Sequence, residues 1–234
     1  MDNDEKENEI LKYTPDYGLI DIDSKEWDDV RDIKITELLK RKITNIKIFS
    51  SKYNDKVIIN GISITFKNST TGNIKTIEHR GNDDIIDTKE LNIKHNEYLS
   101  DFHIRFPDST EYISQIGFST NKKNTIMVGS EDGDSKTVCF NGGDNIIIGT
   151  RGWFNKHLDS IGCIFISKKD YLQKYLFDIF MLRYQIKNNE KFKKEWDKKY
   201  KELSIADQFL WKAASLEDDE IFVQIIKYCY CYCI

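Results

Sequence analysis

The residues best placed to do chemistry lie in Gly149–Phe165, GTRGWFNKHLDSIGCIF. Gly149 and Gly152 permit positive φ, so the segment is expected to form a tight loop that exposes backbone N–H groups, with Trp153 and Phe154 at its tip. It runs into Asp159 and then an alternating strand, with Ile161, Cys163 and Phe165 on one face and Ser160, Gly162 and Ile164 on the other. A carboxylate beside N–H donors and two aromatic rings suits a neutral polyol. The carboxylate accepts from hydroxyls, the amides donate to them, and a ring covers the polyol's apolar face.

Other chemistries lack their residues. The four histidines (His79, His95, His103, His157) share no metal-ligand spacing, and Asp132-Gly133-Asp134 lacks the remaining ligands of a calcium loop. The chain has no phosphate-cradling glycine loop, nucleophile elbow or His-Glu-x-x-His helix, so neither catalysis nor a cofactor is expected. A net charge of −4 gives no bulk attraction to nucleic acid or an anionic membrane. Lysines from Lys191 to Lys201 alternate with Glu195 and Asp197, which reads as an exposed amphipathic helix. The acidic start, MDNDEKENE, has no apolar core of a secretory signal, and a cytoplasmic protein is expected. Of five cysteines, Cys139 and Cys163 lie in strand patterns and read as small buried apolar residues. Cys229, Cys231 and Cys233 crowd the end of the chain, and membrane attachment is expected only if one of them is lipidated.

The elements that must position the Asp159 segment are short strands. Ile46 and Ile48 alternate with polar residues, as do Ile62, Ile64 and Phe66, and Phe102, Ile104 and Phe106. Thr71-Gly72-Asn73 reads as a hairpin turn before Ile74–Ile77. Ile113, Ile116 and Phe118, then Ile126–Val128, Val138–Phe140 and Ile146–Ile148, complete an all-β pattern up to residue 167. From Lys168 the period changes. Leu172, Tyr175, Leu176, Ile179, Leu182 and Ile186 recur at helical spacing, Phe192, Trp196 and Tyr200 fall four apart, and Ser204 caps a third helix carrying Phe209, Leu210, Ala213 and Leu216. Ile221, Phe222, Ile225 and Ile226 suggest a last short helix. The chain thus divides into an acidic tail (1–14), a β domain (15–167) and a helical extension (168–234).

Several stretches of the β domain resemble the jacalin-related lectins, in the family's order. Trp27-Asp28-Asp29 is similar to the opening of many such domains. His79-Arg80-Gly81 stands where the family often has a His-Gly-Gly element, and Glu111–Lys123 resembles its middle strand and following turn. Gly152, Asp159, Ser160, Ile161 and Gly162 match its last loop, although six residues separate Gly152 from Asp159 where the family has three. The resemblance implies a β-prism, three four-stranded antiparallel sheets around a pseudo-threefold axis, here followed by helices. It also implies a non-catalytic site for mannose- or glucose-type glycans. In the family the sugar is held by the Asp carboxylate, by two N–H groups shortly before it and by an N-terminal glycine. Asp159 is then the acceptor and Gly18 the available glycine. The donors are Lys156 and His157 counted back from Asp159, or Trp153 and Phe154 counted forward from Gly152, with Leu158 completing the loop. His79-Arg80-Gly81-Asn82-Asp83 resembles a loop that some family members use for a second sugar, but Arg80 replaces a glycine there, so the segment reads as an ordinary turn. The competing expectation is a protein-interaction scaffold with a degenerate sugar site, its helices docking a partner or driving homo-oligomerisation.

Overall fold

The computed structural model describes residues 10–68, 71–94, 97–107, 112–131, 135–199 and 205–224. The Cys229, Cys231 and Cys233 expectations, the Asp132–Asp134 turn, Ser204 and the tail's first nine residues fall outside that set, as do the side chains of Leu172, Tyr175, Leu176, Ile179, Trp196, Phe209 and Leu210. Two compact units are present, one of residues 1–67 and 74–167, the other of residues 68–73 and 168–234.

In the first unit the strands are β1 (Leu11–Tyr13), β2 (Tyr17–Gly18), β3 (Lys25–Asp28), β4 (Arg41–Tyr53), β5 (Lys56–Asn68), β6 (Ile74–Arg80), β7 (Asp87–Asn92), β8 (Leu99–Pro107), β9 (Gln115–Thr120), β10 (Thr125–Gly129), β11 (Ser135–Asn141), β12 (Asn145–Phe154) and β13 (Leu158–Ser167). A short helix, α1 (Ile35–Leu38), precedes β4. One four-stranded sheet runs β7-β4-β5-β6 and another β11-β8-β9-β10, both in the 4-1-2-3 order of a Greek key. The remaining strands repeat that order as β3-β12-β13 with β1 and β2 beside β13, so the start of the chain closes the sheet that its last strands open. A single pairing, Ile147 with Leu99, links this sheet to its neighbour. These are the three sides of a β-prism.

Alternation explains the core. Ile46 and Ile48 from β4, Ile62 and Ile64 from β5, Phe102 and Ile104 from β8, Ile116 and Phe118 from β9, and Ile161 and Cys163 from β13 share one buried cluster drawn from all three sheets. Cys163 is buried there as expected, and burial holds its thiol well above the ordinary range. Cys139 is not: Val138 and Phe140 turn towards the cluster, so the pleat puts Cys139 on the exposed face of β11. Asn54 and Asp55, both at positive φ, make the β4–β5 turn, and Gly72, at φ +73°, makes the β5–β6 turn.

The helical unit contains α2 (Lys168–Asn188), α3 (Glu190–Lys199), α4 (Ile205–Ala214) and a further helical stretch over 219–224. Ile186, Trp211 and Ala214 form its buried centre, with Leu182 and Phe192 against them. Asp218 caps the last stretch, its carboxylate accepting from the N–H groups of Glu220 and Ile221. Buried Arg183 ties the pieces together. Its guanidinium donates to the carbonyls of Ala214 and Leu216 and to Asp219, and stacks over Phe222 at 4.2 Å.

Hydrogen bonds from Lys187 and Arg183 pull the Asp219 carboxyl down to about 2 from 3.8. A carboxyl whose folded pKa is depressed stabilises the fold above its unfolded value and loses that contribution as pH falls through the folded one. The thermal midpoint of the wild type is therefore expected to exceed that of Asp219→Asn at pH 5, and the gap to close between pH 4 and pH 2. A gap that stays constant over that window would refute the assignment. Because Asp219 is open to solvent, high salt should shrink the gap as well.

Candidate functional site

Asp159 lies at the start of β13, where β2 and β12 flank it. Gly18 pairs with Ser160, at φ +120°, and a Cβ there would sit 2.1 Å from the Asp159 carbonyl oxygen. The two residues expected to share the site are therefore adjacent, and the backbone approach between them requires glycine.

The Asp159 carboxylate is occupied from within the chain. Its Oδ2 accepts the Ser24 hydroxyl at 2.5 Å, its Oδ1 lies 3.7 Å from His157 Nε2, and the residue is 2% exposed. Ser24 is held in a turn: its Oγ accepts from the Asp21 N–H and its own N–H donates to the Asp21 carbonyl. Asn155 Nδ2 donates to the Asp21 carboxylate at 3.3 Å, which ties this turn to the loop before Asp159. His157 is buried, with Nδ1 at 3.6 Å from Asp83 Oδ2 and its ring 5.8 Å from that of Tyr53. Sequence reasoning missed Ser24, Asp21 and Tyr53, and reached Asp83 only as part of the His79–Asp83 turn. The Asp21-x-x-Ser24 spacing was a turn signal that could have drawn attention to the first two.

The expected loop is much shorter than the sequence suggests. Gly149 to Phe154 belong to β12, and only Asn155, Lys156 and His157 connect it to β13. The register shift at Trp153/Phe154 leaves one residue of β13, Asp159, unpaired between Leu158 and Ser160. Trp153 faces Glu26 on β3 and Ser160 on β13, and Phe154 faces Lys25 and Leu158, so their amides point at neighbouring strands rather than a ligand. The Phe154 ring packs on Trp27 and His79 at centroid distances of 5.9 and 6.3 Å. Leu158 is fully buried in the core. Trp153, Phe154 and Leu158 therefore line no loop tip. Gly152 is close-packed, since a Cβ would lie 2.2 Å from the Ser160 carbonyl and 2.6 Å from the Trp27 ring. Lys156 is exposed, and its carbonyl accepts the Asp83 N–H at 3.1 Å. Of the two expected donor pairs, Trp153 and Phe154 lie in β12, and Lys156 and His157 lie in the connection that precedes Asp159.

Residues 22–164 match the family profile of the jacalin-like lectin domain. The chain belongs to that family. Jacalin-like lectins are non-catalytic carbohydrate-binding domains, so carbohydrate binding is the activity that membership supports. The jacalin-related lectin 44 of Arabidopsis thaliana is 36% identical over 87 residues, covering 37% of this chain and only 14% of that protein. Solved structures with the same fold include wild-type Malaysian banana lectin (19% identity, TM-score 0.51, 67% of this chain and 99% of that one). The agglutinin of Calystegia sepium superposes with a TM-score of 0.51 at 20% identity over 67% of this chain and 96% of its own. Artocarpin, solved with mannotriose, does so with a TM-score of 0.50 at 17% identity over 66% and 97%.

Proposed function

We propose that this jacalin-like domain binds mannose- or glucose-type glycans, without catalysis, at the Asp159 end of the prism. The observation that carries the reading is the Ser24–Asp159 contact: an alcohol already sits on this carboxylate. A sugar hydroxyl supplies the same donor, so binding is an exchange of one alcohol for another. In this reading the Lys156 and His157 amides donate to the sugar. Exchange carries a cost, because the turn at Asp21–Ser24 must give way. Monosaccharide affinity is therefore expected to be weak, with avidity coming from several sites in one assembly.

The test is calorimetry with methyl α-mannoside. Ser24→Ala should tighten binding about tenfold, the worth of one net hydrogen bond to a charged group. Asp159→Asn, which keeps the shape, should abolish it. Unchanged affinity in both folded variants would remove Asp159 as the acceptor.

A second reading, a protein-interaction scaffold, is favoured by the exposure of Leu19, Ile20 and Ile22 on the segment that carries Ser24, with Ile22 95% exposed. A glycan array separates the two: a folded domain that captures no mannoside in wild-type or Ser24→Ala form leaves the scaffold.

A further inference from the structure

A different face of the prism carries a nucleophile, a base and an orienting group. Register places Cys139 opposite His103, His103 opposite Gly117, and Gly117 opposite Met127, one row across β11, β8, β9 and β10. Their chain neighbours Phe102, Ile104, Ile116, Phe118, Ile126, Val128, Val138 and Phe140 point into the core cluster or pack against it, so the row lies on the outer face. Gly117 has no side chain, and the Met127 thioether leans over it, with Sδ 2.6 Å from where a Cβ would be. A hollow of about 280 Å³ lies on this face, lined by His103, Cys139, Met127, Ser119, Asp101 and Asn141, among others.

His103 bridges two partners. Its Nε2 is 3.1 Å from the Oε1 of buried Gln115, and its Nδ1 is 3.2 Å from Cys139 Sγ. With a carboxamide oxygen as acceptor, Nε2 carries the ring proton, and Nδ1 meets the thiol with its lone pair. Gln115 thereby fixes the tautomer that accepts the Cys139 proton. Among the described residues, the neighbouring Asp101 and Arg105 are engaged: Asp101 accepts from Ser100 and Gly142 and lies 3.8 Å from Lys123, and Arg105 donates to Thr137.

We propose that Cys139 is a thiol-modification site that forms mixed disulfides with small-molecule disulfides, using His103 as the proton acceptor. His103 Nδ1 takes the thiol proton and the thiolate attacks one sulfur of the reagent. The reagent's S–S bond breaks as the Cys139 mixed disulfide forms. The departing thiolate takes the proton from His103 and leaves as a thiol. Cys139 is oxidised and half of the reagent is reduced. Attack at sulfur needs an accessible thiolate and a proton for the leaving group, and the exposed thiol, the hollow and His103 supply these.

The experiment uses the reduced full-length chain, hydroxyethyl disulfide as the probe and peptide-resolved mass spectrometry. Cys139 should be labelled on the order of 10-fold faster in the folded wild type than in the urea-unfolded chain or in His103→Ala. Free imidazole should restore labelling to His103→Ala, which a merely structural role of His103 does not predict. Buried Cys163 should stay unlabelled in both folded proteins. It also reports folding, because an unfolded variant would gain labelling rather than lose it. Equal Cys139 rates in wild type and His103→Ala, or a folded rate no faster than the unfolded one, would overturn the proposal.

Discussion

Replacing Asp29 by alanine is expected to cost the prism about 3–5 kcal/mol, the range for stripping one partner from a buried charged network. The carboxylate is fully buried and accepts three hydrogen bonds: the Thr150 N–H at 2.9 Å, the Thr150 hydroxyl at 2.8 Å and His79 Nε2 at 2.8 Å. The Asp29 N–H donates in turn to the Thr150 carbonyl, so the end of β3 is fastened to β12 from both directions. His79 stacks on Trp27 at 4.9 Å, and the Trp27 indole N–H points to the Thr150 hydroxyl. Alanine leaves a backbone amide, a hydroxyl and an imidazole facing a cavity. Asp29→Asn should cost less, because it keeps one acceptor oxygen but turns a donor towards a donor. Urea unfolding followed by tryptophan fluorescence measures both. A loss below about 1 kcal/mol for Asp29→Ala would mean that water replaces the carboxylate, and that the Trp-Asp-Asp run does not fasten β3 to β12.

That network shows why part of the molecule was legible and part was not. Isoleucine alternation announces β4, β5 and β8, because one face of each must leave water. The same alternation cannot say that Arg151 pairs with Asp28, far back in the chain, and that pairing makes the third sheet. Glycine misled in a specific way. Gly149 and Gly152 read as loop hinges but sit inside β12, where a Cβ would press on Asp29 and Val30 at one and on the Trp27 ring at the other. A glycine that admits a close neighbour has the same letter as one that admits a turn. Asp159 and Gly18 were legible as neighbours because the resemblance set them together. Ser24 was not, because one hydroxyl in an acidic turn carries no pattern until the fold brings it to a carboxylate.

Gly81→Ala is expected to strike the proposed sugar site hardest from outside it. An alanine Cβ at this position would stand 1.8 Å from the Lys156 carbonyl oxygen and 2.4 Å from the His157 nitrogen, both backbone atoms. Gly81 cannot retreat freely, since its N–H donates to the carbonyl of Asn60, a fully buried residue of β5. Nor can the segment after it, since the Asp83 N–H donates to the same Lys156 carbonyl. The Asn155–His157 loop must therefore move, and with it the His157 ring that lies between Asp83 and Asp159. Overpacking of this kind costs about 1–3 kcal/mol. The loss of mannoside affinity should exceed tenfold while most of the domain stays folded, because the displaced loop carries the Lys156 and His157 amides that the proposed site uses as donors. Gly72→Ala is the control. Its φ of +73° penalises alanine, but no atom lies within 4 Å of the added carbon, so stability falls without moving the loop and affinity should hold. If Gly81→Ala binds methyl α-mannoside as well as Gly72→Ala does, the Asn155–His157 loop does not form the floor of the site.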